Sequence, residues 1–485
     1  MSRGAEGGPL ESETPRPPPS PASRQPVEFL VVLLLGVLLF RGFAAEAYLV
    51  PTGSMAPTLL GMHREVTCDR CRLGYAVGVD EQGHSGRAVC PNCGETDAGV
   101  AAVVERIGDR LLVQKFLFDW RPPRRWEVAV FQNPAEPVQA YVKRVVGRPG
   151  ESIQIVRGDV FINGRIARKS LDEQRAMRQL VFDARFPRPD SDRTPRWTYH
   201  PAPGASGWRA VGNRFERAPG ATGDARPDWL EYRHWDPDRE AYGPVRDFNP
   251  YNGGEYRGDN RVSDLTLSAR VLVRPGATSL LLRLLGESDR LVATIPVDGA
   301  GALKVEHNGK TIPVSETSAR LTASDTEAPR AVLLEASWVD RRLIVALDGR
   351  PLFAPIDLDD PPTRPDLGAP ERPIAIGAAG SGGVTIWDVR IDRDVYYTGV
   401  LAGAPRRPFG VEVPYRLGPG EYFVLGDNSP VSNDSRFWAT SPVVKAEALL
   451  GKPFLVHLPS RAVPLKVFGG PTYWVPDPRE IRYIR

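Results

Sequence analysis

Phe29-Leu-Val-Val-Leu-Leu-Leu-Gly-Val-Leu-Leu-Phe40 is an unbroken apolar run near the start of a chain that is elsewhere mixed in character. In hydrocarbon every backbone amide must find its partner inside its own segment, so such a run has to be helical if it enters a bilayer. It extends to Ala45 when Arg41 snorkels to the interface, and residues 27–47 then read as a short transmembrane anchor. The uninterrupted part also has the length of a signal-peptide core, and Ala45-Glu-Ala47 has the small-x-small form of a cleavage site, so both readings stand at this point. Residues 1–26 are rich in Pro, Ser, Glu and Arg and poor in apolar side chains, which predicts a disordered cytoplasmic tail. Arg3, Arg16 and Arg24 lie before the run and favour an inside N-terminus with the remainder outside.

Directly after the apolar run, Tyr48-Leu-Val-Pro-Thr-Gly-Ser-Met-Ala-Pro-Thr-Leu-Leu-Gly61 places Ser54 in a turn punctuated by Pro and Gly. A serine hydroxyl is a weak nucleophile at neutral pH and needs a base. Tyr141-Val-Lys-Arg-Val-Val-Gly-Arg-Pro-Gly-Glu151 offers Lys143 on a strand-like run, where Val142, Val145 and Val146 suit a desolvated, neutral amine with no carboxylate close enough to restore its charge. Gly426-Asp-Asn-Ser-Pro-Val-Ser-Asn-Asp-Ser-Arg-Phe-Trp438 is a polar loop able to hold that amine. The six histidines fall in no comparable motif.

These three segments, in this order, resemble type I signal peptidases, the membrane-anchored Ser-Lys proteases that remove signal peptides from exported proteins. The resemblance covers less than half of the chain. It implies Ser54 as nucleophile, Lys143 as general base, and the Thr52 hydroxyl and Ser54 N–H as oxyanion donors. The family's last box runs Gly-Asp-Asn and then Asn-Ser-x-Asp-Ser-Arg; here Val431 replaces the second Asn, while Ser432, Asp434, Ser435 and Arg436 match. By the same resemblance Ser432 hydrogen-bonds the lysine, and Asp434 with Arg436 holds the loop. Gly108-Asp-Arg-Leu-Leu-Val-Gln-Lys115 resembles a further segment of the family and reads as a turn into an alternating strand.

At 485 residues the chain is too long for a single ordinary core, and its 48 Pro and 47 Gly favour strands and turns over helix bundles. Lys and Arg number 62 against 59 Asp and Glu, a net charge of +3, which gives no reason to expect nucleic acid as a partner. Short strands punctuated by Pro and Gly follow at Trp126–Phe131, Tyr141–Val146 and Ile153–Asn163. A second set, Leu265–Val273, Val332–Trp338, Arg342–Arg350 and Gly383–Ile391, has turn signals between its members, with Asp348-Gly349 marking a hairpin. That spacing predicts an inserted β-sandwich similar to concanavalin-like jelly rolls.

The chain's cysteines form two C-x-x-C pairs, Cys68-Asp-Arg-Cys71 and Cys90-Pro-Asn-Cys93, at zinc-ribbon spacing. Two such knuckles complete a four-sulfur tetrahedron for a structural zinc, and two disulfides in an oxidising space are the alternative. No cofactor is expected for catalysis.

The whole is therefore expected to be mostly β, with a signal-peptidase-type catalytic domain after one N-terminal transmembrane helix and a large inserted sandwich. The map is a tail (1–26), an anchor (27–47), a first catalytic part (48–167) holding a zinc-ribbon-like insert with all the cysteines (66–95), the sandwich with its Pro-rich lead-in (168–397) and a second catalytic part (398–485). The function implied is removal of signal peptides from preproteins at the outer, periplasmic face of the inner membrane, with lipid and signal peptides as partners. A glycan or protein ligand of the sandwich is one reading of the insert, and a steric spacer is the other. The alternative for the whole chain is a catalytically degenerate, membrane-tethered β-sandwich binding module.

Overall fold

The computed structural model describes residues 21–39, 45–80, 83–97, 99–133, 139–188, 195–199, 207–220, 227–236, 239, 241–252, 258–324, 329–359, 368–401, 408–466 and 472–484. It is mostly β and divides into two compact units, residues 1–46 and 47–485.

In the first unit Pro21–Leu39 is helical. The helix begins at Pro21, inside the segment expected to be a tail, and residues 1–20 lie outside the described residues. Among the described residues no helix is both long and apolar enough to cross a membrane. Residues 40–44 of the expected anchor, Arg41 included, lie outside the described residues. Its last residues, 45–47, are extended rather than helical, as part of the strand Ala45–Leu49.

The second unit is built around a sheet to which both ends of the chain contribute. Its neighbours run in the order Arg110–Gln114, Leu449–Leu458, Val128–Gln132, Ala140–Gly147, Glu421–Leu425 and Val444–Lys445. Strands from before and after the insert are thus interleaved, and the sheet is complete only when both parts of the chain meet. Leu111, Val113, Val128, Val130 and Val456 bury one face of it together with Met55 and Leu59. The stretch expected as one strand at 153–163 is a hairpin, Ser152–Val156 with Asp159–Ile162, because Arg157 and Gly158 adopt positive φ and turn the chain.

Residues 179–393 supply two antiparallel sheets that face each other. One has Val384–Arg393 and Leu265–Val273 at its centre, paired from Leu265↔Arg393 to Val273↔Val384. The other centres on Ile374–Gly380 and Ala277–Leu285. Alternation along Ala277–Leu285 sends Leu280, Leu282 and Leu284 into the shared core, where Leu267, Val271, Val345, Ile376 and Ile386 meet them. Two sheets joined through apolar inner faces in this way make a β-sandwich. The hairpin expected at Asp348-Gly349 is present, both residues having positive φ between Arg342–Leu347 and Arg350–Pro351.

The sandwich is not a bead on a string. Lys169, at the joint, is buried with its ammonium 2.9 Å from Asp340 and 2.8 Å from Asp394, and stands 4.5 Å from the ring centroid of Trp126, which precedes the insert. Residues 47–485 accordingly form one compact body.

Candidate active site

Ser54 lies in a one-turn 3₁₀ segment, Gly53–Met55, entered from an extended Thr52. The first amides of such a turn, that of Ser54 among them, have no partner within it. The loop is fixed from below by Asp109, whose main chain accepts from Val50 N (2.9 Å) and donates to Leu60 O (2.8 Å). The buried Asp109 carboxylate also accepts from Leu60 N at 3.0 Å and from Ser460 Oγ at 2.8 Å. The Gly-Asp turn before Arg110–Gln114 therefore does more than start a strand, since it ties both ends of the serine loop to the sheet.

Lys143 sits on Ala140–Gly147 opposite Ala129, and this small cross-strand neighbour leaves room for the long side chain. Its Nζ is 2.8 Å from Ser54 Oγ and donates to Val142 O at 3.2 Å. The side chain is almost wholly buried, and burial lowers its pKa to about 8. Asp434 and Asp427 pull the other way, which corrects the expectation of no carboxylate within range, but both are occupied by arginines and burial prevails. Thr52 Oγ1 is 3.5 Å from Ser54 Oγ at the exposed mouth of the site. A hydroxyl beside a partly neutral amine, with a second hydroxyl and the first amides of a turn alongside, can support acyl transfer.

The polar loop closes the site from the other side. Leu425 pairs with Arg144, so the residues that follow, Gly426-Asp427-Asn428, emerge beside the lysine strand. Asn428 N donates to Ser54 O at 3.0 Å, and Asn428 Nδ2 donates to Gly53 O at 3.0 Å. The buried Asp434 carboxylate accepts from Gly426 N (2.9 Å) and from Arg436 Nε (2.9 Å) and Nη2 (2.8 Å). A Cβ at Gly426 would lie 2.2 Å from Ser432 Oγ and 2.4 Å from Ser54 O, so the close approach requires glycine. Ser432 is thus brought to the site, fully buried, but its Oγ has no hydrogen-bond partner among the described residues and the bond to Lys143 implied by the resemblance is not made.

Residues 102–203 and 403–458 match the model of the family described as signal peptidase, peptidase S26. Signal peptidase I of Leptolyngbya laminosa is 30% identical over 176 residues, which cover 32% of this chain and 62% of that protein. Over these stretches the chain is similar to type I signal peptidases. A probable signal peptidase I-2 of a Synechocystis strain is 28% identical, over 30% of this chain and 44% of its own length. Signal peptidase I of Pseudomonas aeruginosa is 26% identical, over 30% and 38%. The chain thus spans about half the length of the relatives it matches. Among solved structures a carbohydrate-binding module from Bacillus subtilis aligns with 41% of this chain and 92% of its own at 13% identity, with a TM-score of 0.20, too slight a likeness to bear on function.

Near the proposed site, several residues matter that sequence reasoning did not single out. Arg144 and Asp427 are both buried, and Arg144 Nε donates to Asp427 Oδ1 at 2.8 Å. Thr58 Oγ1 donates to Asp427 Oδ2 at 2.6 Å, tying the pair to the serine loop. The neighbour of the lysine and the middle residue of Gly-Asp-Asn were visible as motif members, and only their pairing was not.

Cys68, Cys71, Cys90 and Cys93 are buried, unbridged and gathered so that all four sulfurs lie within 4.8 Å of one another. Cys68 Sγ is 3.5 Å from Cys93 Sγ, and Cys71 Sγ is 3.6 Å from Cys90 Sγ. These separations exceed a covalent S–S bond of about 2 Å. They approach the roughly 3.8 Å edge of a tetrahedron with Zn–S bonds of about 2.3 Å. Each pair forms the same tight knuckle, with Arg72 N donating to Cys68 O (2.9 Å) and Gly94 N to Cys90 O (2.8 Å).

Proposed function

We propose that the chain is a membrane-anchored serine endopeptidase that removes N-terminal signal peptides from exported preproteins, with Ser54 as nucleophile and Lys143 as general base. The observation that carries this reading is the 2.8 Å approach of Lys143 Nζ to Ser54 Oγ, with the amine buried and its pKa lowered to about 8. In that state Nζ takes the Ser54 proton as Oγ attacks the scissile carbonyl carbon. The oxyanion that forms is met by the Ser54 N–H and the Thr52 hydroxyl. Nζ then returns the proton to the departing amine, leaving the signal peptide as an ester on Oγ. Water activated by the same amine hydrolyses that ester and restores Ser54. Asp434 and Arg436 shape the loop that packs on Ser54, and the buried Ser432 lies beside it.

The apolar run from Phe29 would anchor the enzyme in the inner membrane as a single pass, with the catalytic unit on the periplasmic face close to the apolar segment of its substrate. The same reading makes Cys68, Cys71, Cys90 and Cys93 the ligands of one structural zinc, supported by the sulfur separations above, with no metal in the chemistry. Cleavage of a preprotein in detergent by wild type and by Ser54→Ala tests the reading. Processing should vanish in the variant, and equal processing would leave only a tethered binding module. Removal of residues 1–47 should slow cleavage of membrane-inserted preproteins more than that of short soluble peptides.

A further inference from the structure

The segment Asp247-Phe-Asn-Pro-Tyr-Asn252 belongs to the insert by sequence, yet it packs on the serine loop. The Tyr251 ring lies flush against two backbones of the catalytic part: a Cβ at Gly53 would come within 1.9 Å of it, and one at Gly78 within 2.3 Å. Its hydroxyl donates to Met62 O at 2.7 Å, at the far end of the same loop. On either side of Tyr251 two buried asparagines reach Asn428, the residue that holds the carbonyls of Gly53 and Ser54. Asn249 Nδ2 donates to Asn428 Oδ1 at 3.1 Å and to Ala56 O at 3.3 Å. Asn428 Nδ2, while donating to Gly53 O, also donates to Asn252 Oδ1 at 2.8 Å.

These bonds fix which way the Asn428 amide faces. With its oxygen engaged by Asn249 and its nitrogen by Asn252, the side chain can only present N–H to Gly53 O. The segment is itself held by the sandwich. Arg393, at the end of Val384–Arg393, donates to Asp247 O and Phe248 O, each at 2.9 Å, and Asp247 accepts from Asn260 Nδ2 at 2.8 Å. Gln179, the first residue of the first sandwich strand, donates to Asp427 O at 2.9 Å.

We propose that the insert is part of the catalytic apparatus, and that Tyr251, Asn249 and Asn252 are positioning residues that set the place of Ser54 through Gly53 and Asn428. This inference rests on the reading of Ser54 as the nucleophile. None of the three touches Ser54 Oγ or Lys143, so their loss would displace the nucleophile rather than remove a reacting group. Misplacement of a reacting atom by about an ångström is enough to cost on the order of 100-fold in rate. A spacer that only kept the site away from other surfaces would need none of these contacts.

The test uses the full chain in detergent, with a preprotein substrate and variants Tyr251→Leu, Tyr251→Phe, Asn252→Ala and Ser54→Ala. Three quantities are read: kcat and KM, the thermal midpoint, and hydrogen exchange in peptides covering residues 52–62, 110–114 and 265–273. We expect Tyr251→Leu and Asn252→Ala to lower kcat at least about tenfold with KM little changed, and to speed exchange in 52–62 only. Tyr251→Phe, which keeps the ring against Gly53 and Gly78, should retain most of kcat. Normal kcat in a folded Tyr251→Leu overturns the proposal, and so does a fall in kcat without faster exchange at 52–62. Should Tyr251→Leu fail to fold, Asn252→Ala, which loses a single accepted hydrogen bond, decides by the same criteria. Activity surviving in Ser54→Ala would refute the nucleophile assignment instead, and the exchange data would still report whether the segment orders the loop.

Discussion

Lys143 Nζ stands 2.8 Å from Ser54 Oγ, a long side chain buried in the sheet shared by both parts of the chain, with its neighbouring carboxylates already paired to arginines. Burial lowers the amine's pKa to about 8. On the proposed mechanism the neutral form is the active one, so kcat/KM should rise with pH through about 8 and fall roughly tenfold per pH unit below it. Lys143→Arg keeps the charge but cannot lose it at accessible pH, and should lower kcat/KM by at least about 1,000-fold in a folded protein. A pH–rate profile of wild type beside single-turnover assays of the variant checks both statements.

The same lysine should weaken the fold. Its folded pKa lies below the 10.5 of an ordinary lysine, so between those values the unfolded chain binds a proton that the folded chain does not. Stability therefore gains from Lys143 as pH rises from about 8 towards 10.5, and below 8 the full penalty of burying the ammonium applies. Lys143→Met should accordingly be more stable than wild type at pH 7, by about 1–3 kcal/mol, with the advantage shrinking above pH 8. Unfolding curves at pH 7 and pH 10 measure the difference.

The Arg144–Asp427 pair calls for the opposite result. Both side chains are buried, and Asp427 also accepts from Thr58 in the serine loop. Asp427→Ala leaves a guanidinium buried without its counter-charge and should cost about 3–5 kcal/mol. Replacing both partners with apolar residues, Arg144→Met with Asp427→Leu, should recover a good part of that loss. A thermal-shift comparison of the single and double variants separates a lost pair from a stranded charge.

What was legible in the sequence is what is local. Ser54 lies in a Pro- and Gly-defined turn, Lys143 lies on a strand whose β-branched character shows in Val142, Val145 and Val146, and Asp348-Gly349 announces its hairpin by residue type alone. The sandwich strands at 265–273 and 332–338 were readable for the same reason, each being a regular run between turn signals. The capping box of Ser170 and Glu173, which starts a short helix at Leu171–Met177, went unread although its residue types are local. What could not be read is what depends on distant partners. Asn428 gains its orientation from Asn249 and Asn252, well away in sequence and inside a segment crowded with Pro, Arg and aromatics that resembles nothing in the catalytic part. The Ser432 hydroxyl shows the converse: a motif position was met, but the bond expected of it depends on a rotamer that a pattern does not specify.

The cysteine cluster yields the last prediction. Four thiols packed with sulfurs about 3.5 Å apart and sealed from solvent would repel one another as thiolates, and a divalent cation at their centre removes that repulsion while completing a tetrahedron. The purified protein should carry about one zinc per chain, and chelation should disorder the knuckles. Those knuckles are docked on the sandwich: Asn92, between Cys90 and Cys93, donates to Phe186 O at 2.8 Å and accepts from Asp183 N at 2.8 Å. Strand Gly74–Gly78, which leads away from the first knuckle, lies against Tyr251. Loss of zinc should therefore speed hydrogen exchange first at residues 68–78 and 90–94, and only then in the serine loop, with a fall in kcat that zinc restores. Cys71→Ser and Cys90→Ser should each lose the metal and lower the thermal midpoint. Protein without metal whose four cysteines react with a thiol reagent only after reduction would instead establish two disulfides.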